Sequence, residues 1–201
     1  MKTIVIVDYG LGNLRSVMRG LEKAGATAVI TTRPDMIRSA DGIVLPGVGA
    51  FREGMEQLVP VKEAILEAAG KVPLLGICLG MQMLMEESEE HGIHKGLGLI
   101  PGHVRKFPRV SGMKIPHMGW NSILIEQPDS PLFDGCATEE YVYFVHSFYA
   151  DTTPDHTLTT TSYICPFASS IVNRLTFGVQ FHPEKSGAVG LQILKNFISL
   201  V

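Results

Sequence analysis

Residues 72–85 read VPLLGICLGMQMLM, and the order of residue types within them decides the architecture. Val72 to Ile77 form a continuous apolar run, as expected of a strand covered on both faces of a parallel sheet. Gly76, Cys78 and Gly80 then make a small-residue turn, and MQMLMEE beyond it reads as helical. Upstream, KTIVIVD (2–8) is a second buried strand, rich in β-branched residues. After the loop YGLGN, the stripe Leu14, Val17, Met18 and Leu21 predicts a helix over about Leu14–Ala24, closed by Gly25. Short strands are expected at about Ala28–Thr31 and Gly42–Leu45, followed by a helix near Val61–Ala69. Each strand returns after a segment of crossover length, the βαβαβ rhythm of an α/β protein with right-handed crossovers.

Beyond Gly92 the style changes. The pieces GLGLIPG, KIPHMGWNSILI, YVYFVHSFYA, TLTTTSYI, FASSIV and LTFGVQF are short and β-rich, and an apolar-striped helix from about Ala188 to Leu200 closes the chain. The expectation is a flavodoxin-like, doubly wound α/β fold. Its central sheet is mostly parallel, with an additional antiparallel, β-rich part in the C-terminal half. No repeat, low-complexity tract or linker divides residues 1–201, so a single domain is expected.

Composition narrows the function classes. The chain is 45% apolar and 18% charged, enough for a sizeable core and unlike a disordered chain. A formal charge of −3 and a pI near 6.2, with basic residues scattered, give no nucleic-acid footprint. Cys78, Cys136 and Cys165 are widely spaced free-thiol candidates, which suits a reducing cytosol. The apolar start is broken at once by Asp8, unlike a signal peptide. The stretch 72–85 is too short for a membrane span, which needs about 20 residues. A cytoplasmic protein is therefore expected. The run EESEE (86–90) reads as a solvated helix end.

In such a sheet, functional groups collect outside the carboxyl ends of the parallel strands. DYGLGN, LPGVGAF, GICLGMQ and FGVQFHPEKSG fall at such ends. The pattern Gly-x-Cys-x-Gly between strand and helix has the layout of a nucleophile elbow, with Gly76 and Gly80 keeping Cys78 exposed on a sharp turn. The following helix would offer its N-terminal amides and dipole to a thiolate, and the Leu79 amide to a developing oxyanion. The competing reading is that Cys78 is a small buried filler. A thiolate needs a base and the base an orienter. In HPE, Pro183 biases His182 toward an extended conformation, so that Glu184 would face the same way and hold the imidazole. The glycines of LPGVGAF suit a second oxyanion donor, or simply a turn that starts a helix. Cys136 and Cys165 lack such flanks, and His91, His94, His103 and His156 read as surface.

PGVGAF, GICLGMQ and HPEKS, in this order, resemble the oxyanion strand, nucleophile elbow and His-x-Glu segment of the class I (triad-type) glutamine amidotransferases. DYGLGNLRSV, KGLGLIPG, IPHMGWN, YFVHSF and FGVQFHPEKSG are further similar to the branch whose glutaminases serve a cyclase in histidine synthesis. The resemblance implies hydrolysis of L-glutamine to glutamate and ammonia through a Cys thioester. The ammonia would pass to a cyclase subunit of (β/α)8-barrel fold, forming a heterodimer. It implies Cys78 as nucleophile, His182 as base then acid, and Glu184 as its orienter. Leu79, Val48 and Gly49 would supply the oxyanion hole, while Gly47, Gln82, His146 and Ser147 would line the substrate site. Asn13, Trp120, Tyr143 and Lys185 would meet the cyclase, although Trp120 also reads as core and Lys185 as a solvated charge. The reaction calls for neither metal nor organic cofactor. The family's expected restraint is an oxyanion strand with a misdirected amide until the cyclase is occupied. Phe148 departs from the tyrosine expected in many relatives, which puts one local hydrogen bond in doubt. Two alternatives stay open: the glutaminase of another amidotransferase or a γ-glutamyl hydrolase, and a non-catalytic binding module with Cys78 in its core.

Overall fold

Side chains alternate across a strand, so a strand buried on both faces must supply apolar groups to two cores. Residues 3–7 of the chain do this: Val5 and Val7 enter one core, Ile4 and Ile6 the other. The computed structural model describes residues 2–201. In its first half the elements are β1 (Thr3–Val7), α1 (Leu14–Lys23), β2 (Thr27–Thr31), α2 (Pro34–Arg38), β3 (Gly42–Gly47), α3 (Phe51–Ala68), β4 (Leu74–Cys78), α4 (Leu79–Met83), β5 (Met85–Ser88) and β6 (His94–Lys95). The second half holds β7 (Ile100–Lys106), β8 (His117–Ile125), β9 (Glu140–His146), β10 (Phe148–Asp151), β11 (Thr157–Ser162), β12 (Pro166–Asn173), β13 (Thr176–Val179) and α5 (Gly187–Leu200).

The main sheet runs β2-β1-β3-β4-β13-β12-β10-β7-β5-β6. Its first five strands are parallel, and β12 turns the sheet antiparallel. Helices α2, α3 and α4 share one core, and α1 and α5 the other, which is the doubly wound arrangement. Each fully buried Ile, Leu or Phe in these cores contributes about 1.5–3 kcal/mol relative to exposure. The pairing that positions the site is β13 beside β4, with Gly178 opposite Gly76 and Val179 opposite Ile77. A strand from near the end of the chain is thus slotted against the elbow strand. The β-rich part folds β8, β9 and β11 away from the main path, with β8 antiparallel to both β9 and β11.

Four local expectations need correction. Helix α3 begins at Phe51, ten residues before the expected start, and runs through Pro60. Pro60 is exposed, so the carbonyl it leaves unpaired can turn to water. The segment MQMLMEE is not one helix: α4 stops at Met83 and Met85–Ser88 is strand β5, parallel to β7. EESEE is accordingly not a solvated helix end. The Gly102 and Lys106 amides donate to Glu86 and Glu89 at 2.9 and 2.7 Å, and the Phe51 amide donates to Glu90 at 2.7 Å. YVYFVHSFYA is two strands broken at Ser147, which frees that residue from the ladder. Finally, no helix is long and apolar enough to cross a membrane among the described residues.

Candidate active site

Cys78 ends β4 with φ 55° and ψ −110°, a left-handed conformation that is costly for a residue with a Cβ. The small neighbours expected around it are required. A Cβ on Gly80 would overlap the Leu45 carbonyl oxygen, and one on Gly76 would lie 2.8 Å from Gly80 backbone atoms. Leu79 opens α4, so no helix carbonyl can reach its N–H. The helix itself has only five residues, and the expected dipole support shrinks to a single turn. Charge compensation for a thiolate therefore falls mainly to His182.

The structure brings His182 and Glu184 together at the end of β13. His182 Nδ1 lies 2.9 Å from Glu184 Oε1, and both side chains are almost fully buried. The route differs from the expected extended tripeptide: His182 is extended, but Pro183–Lys185 form a 3-10 turn that folds Glu184 back under the imidazole. Burial opposes the charged imidazolium. Hydrogen bonding and charge from Cys78 and Glu184 outweigh it, so His182 is raised from 6.5 to about 9. Nε2, the nitrogen turned away from Glu184, has no hydrogen-bond partner of good geometry among the described residues. It is the atom left to exchange a proton with sulfur or substrate.

A cavity of about 310 Å³ joins these parts, lined by Cys78, His182, Val48, Gly49, Gln82 and Ser147 among others. Val48 is exposed and Gly49 has φ 103°, a conformation that suits glycine. Gly47 pairs with Cys78 in the β3–β4 register and has no room for a side chain, since a Cβ would lie 2.9 Å from that of Leu79. Gln82 donates from Nε2 to the Phe148 carbonyl at 3.0 Å and to Gln180 Oε1 at 3.1 Å, leaving its own oxygen for a ligand. His146 lines the cavity, but its polar atoms are already committed. Nδ1 donates to the Phe148 carbonyl at 2.8 Å and Nε2 meets His117 Nδ1 at 2.9 Å. Burial lowers His117 to about 4 and His146 to about 3, so both are neutral. The Phe148 carbonyl can only accept, which fixes the tautomers: His117 donates to His146 and in turn accepts from Asn121 Nδ2 at 3.2 Å. Phe148 thus serves through its carbonyl, which no side-chain hydroxyl is needed to anchor.

Three contributors lay outside the sequence reading. Tyr9 donates to the Pro46 carbonyl at 2.7 Å, tethering the strand end that carries Val48 and Gly49. Burial, and then the charge of Cys78, push its hydroxyl pKa up. Glu90 caps α3 through Phe51 N–H and also lines the cavity, placing a carboxylate in the same cavity as Cys78. Ser186, fully buried, accepts from Tyr143 N–H at 3.0 Å and donates to the His182 carbonyl at 2.6 Å. His182 N–H donates to the Tyr143 carbonyl at 2.9 Å, so β9 and the histidine segment are clasped together. No sequence pattern marks Glu90, whose partner Phe51 lies 39 residues away, and HPEKS does not reveal that Ser186 bridges to Tyr143 of β9.

On the outer side of β8 and β9, Trp120 pairs with Tyr143 across the strands, with ring centroids 6.1 Å apart. Trp120 is 55% exposed, so it is not a core residue. Lys185 Nζ stands 5.9 Å from the Tyr143 ring, and Asn13, at the start of α1, is exposed.

The elbow, the His–Glu pair and the parallel sheet that presents them define the class. The chain belongs to the class-I glutamine amidotransferase family, whose sequence model matches residues 5–200. Within it, the chain belongs with the proteins named imidazole glycerol phosphate synthase subunit HisH. It is 55% identical to that of Methanosarcina acetivorans over 204 residues, covering 100% of both chains. It is 46% identical to that of Archaeoglobus fulgidus over 198 residues, covering 98% of both. The fold matches PurLQS from Thermotoga maritima with TM-score 0.76 at 21% identity, covering 98% of each chain. It also matches the glutaminase domain of Trypanosoma brucei CTPS with bound acivicin, with TM-score 0.70 at 16% identity, covering 100% of this chain and 95% of that one.

Proposed function

We propose that the chain is the glutaminase subunit of an imidazole glycerol phosphate synthase, hydrolysing L-glutamine through a thioester on Cys78. The observation that carries the mechanism is the strained Cys78 sharing one cavity with a His182 that Glu184 holds by Nδ1. The Cys78 proton moves to His182, and the thiolate attacks the side-chain amide carbon, forming a C–S bond and an oxyanion. The Leu79 amide and, once the cyclase is occupied, the residues that follow β3, Val48 and Gly49, supply the donors for that oxygen. Collapse breaks the C–N bond as His182 returns the proton to nitrogen, releasing ammonia and leaving a γ-glutamyl thioester. His182 then takes a proton from water, hydroxide adds to the thioester, and expulsion of the thiolate gives glutamate. Glu90 supplies the negative charge that an α-ammonium group requires. Ammonia passes to a (β/α)8-barrel cyclase docked on the face of Asn13, Trp120, Tyr143 and Lys185. The decisive measurement is glutamine turnover by wild type and Cys78→Ala, each with and without the cyclase and its nucleotide ligand. Turnover is expected only in wild type and chiefly with the ligand-bound cyclase. Unchanged turnover in Cys78→Ala would overturn the assignment.

A further inference from the structure

A second cavity, about 610 Å³, adjoins the active-site cavity and shares Glu90, Ser147 and Phe148 with it. Its remaining wall includes Lys106 and Arg109, with the exposed apolar Val110 and Met113. The charges around it are distributed unevenly. The inner cavity is lined by Glu90 but by no lysine or arginine. Nearby Arg105 is paired with Asp151, and Glu89 accepts from the Lys106 backbone N–H. Neither Lys106 nor Arg109 forms a side-chain ion pair among the described residues, and Lys106 Nζ hangs 5.8 Å from the Phe148 ring at the junction of the two cavities.

L-Glutamine is a zwitterion. Glu90 in the inner cavity matches its ammonium, and Lys106 and Arg109 in the adjoining outer cavity match its carboxylate. Outside the lining of both cavities, exposed Trp120 and half-buried Tyr143 pair across β8 and β9 on the face that the cyclase would cover. We infer that the outer cavity is the vestibule through which amino-acid carboxylates reach and leave Cys78, with Lys106 and Arg109 as its anion-capturing residues. The inference rests on the glutaminase reading. It names no residue that touches the reacting atoms, so Lys106 and Arg109 act on capture rather than on bond cleavage. The product glutamate carries one carboxylate more than its substrate, and the same cations draw it outward.

The test uses the complex with the cyclase and two alkylating probes of similar size, anionic iodoacetate and neutral iodoacetamide. In K106E/R109E, alkylation of Cys78 by iodoacetate is expected to slow by roughly tenfold, in the range of electrostatic steering. Iodoacetamide should react within about twofold of the wild-type rate, since a neutral probe feels no steering. The KM for glutamine should rise with kcat nearly unchanged, and added salt should narrow the iodoacetate difference. K106A/R109A, which removes charge without reversing it, should fall between. An unchanged iodoacetate-to-iodoacetamide ratio with unchanged KM overturns the vestibule while leaving the glutaminase standing. Wild type in which neither probe modifies Cys78 overturns the glutaminase reading, and the vestibule with it.

Discussion

His182 is the residue whose surroundings most constrain the chemistry. Its folded pKa of about 9 lies above the unfolded 6.5, so the stability it contributes is fully present below pH 6.5 and is lost as pH rises through 9. The same proton is the one delivered to departing ammonia. The kcat of the complex is therefore expected to fall above about pH 9, with unfolding free energy declining over the same window. Measured pH–rate and urea-unfolding profiles check both limbs, and a kcat flat to pH 10 would show that another group donates. Cys78, His182 and Glu184 were legible in the sequence because each sits in a short motif with its own turn chemistry. Glu90 was not, because it acts through Phe51 and the cavity, both far from it along the chain. Tyr9 was likewise hidden, since its partner Pro46 belongs to another strand.

At the scale of elements, long apolar periodicity was a sound guide, and local breakers were not. Helix α1 and strands β1 and β2 fall within a residue or so of where their patterns place them. The helix expected near Val61–Ala69 falls short: α3 starts at Phe51 and continues through Pro60 on an exposed face, although proline usually ends a helix. Restoring the N–H there should help: Pro60→Ala is expected to stabilise the chain by about 1–3 kcal/mol in urea unfolding, leaving turnover unchanged. A destabilised variant would show that the proline's stiffness in the unfolded chain outweighs the missing bond. The helix over MQMLMEE failed for a different reason. Leu84 and Met85 are needed by the sheet and core, and the glutamates that follow are taken up by backbone amides of β7 and α3. Tertiary demand overrode local propensity.

For the whole molecule, the decisive event is the insertion of β13 next to β4. It carries the histidine segment alongside the elbow, and the Ser186 clasp then ties that segment to β9 and its aromatic outer face. A partner bound on Trp120 and Tyr143 would therefore press on strands one hydrogen bond away from His182. Trp120→Ala is expected to weaken cyclase binding by about 2 kcal/mol or more, roughly 30-fold, as for a buried aromatic anchor. Titration calorimetry reads the loss, while Cys78 alkylation by iodoacetamide in the isolated subunit should not change. Affinity within twofold of wild type would move the interface elsewhere.

By itself the sequence determined the two-sided strands, the glycine-flanked elbow, the His-x-Glu motif and the family these define. Each depends on neighbours a few residues apart, where backbone sterics and hydrophobic periodicity act directly. Only the tertiary structure decided that Glu90 lines the cavity and Tyr9 tethers its rim, that the two neutral histidines are locked in one tautomeric chain, and that a second cavity holding Lys106 and Arg109 opens beside Phe148. Those features are made by strand pairings between segments scattered along the chain, and no local pattern records which distant residue a strand will meet.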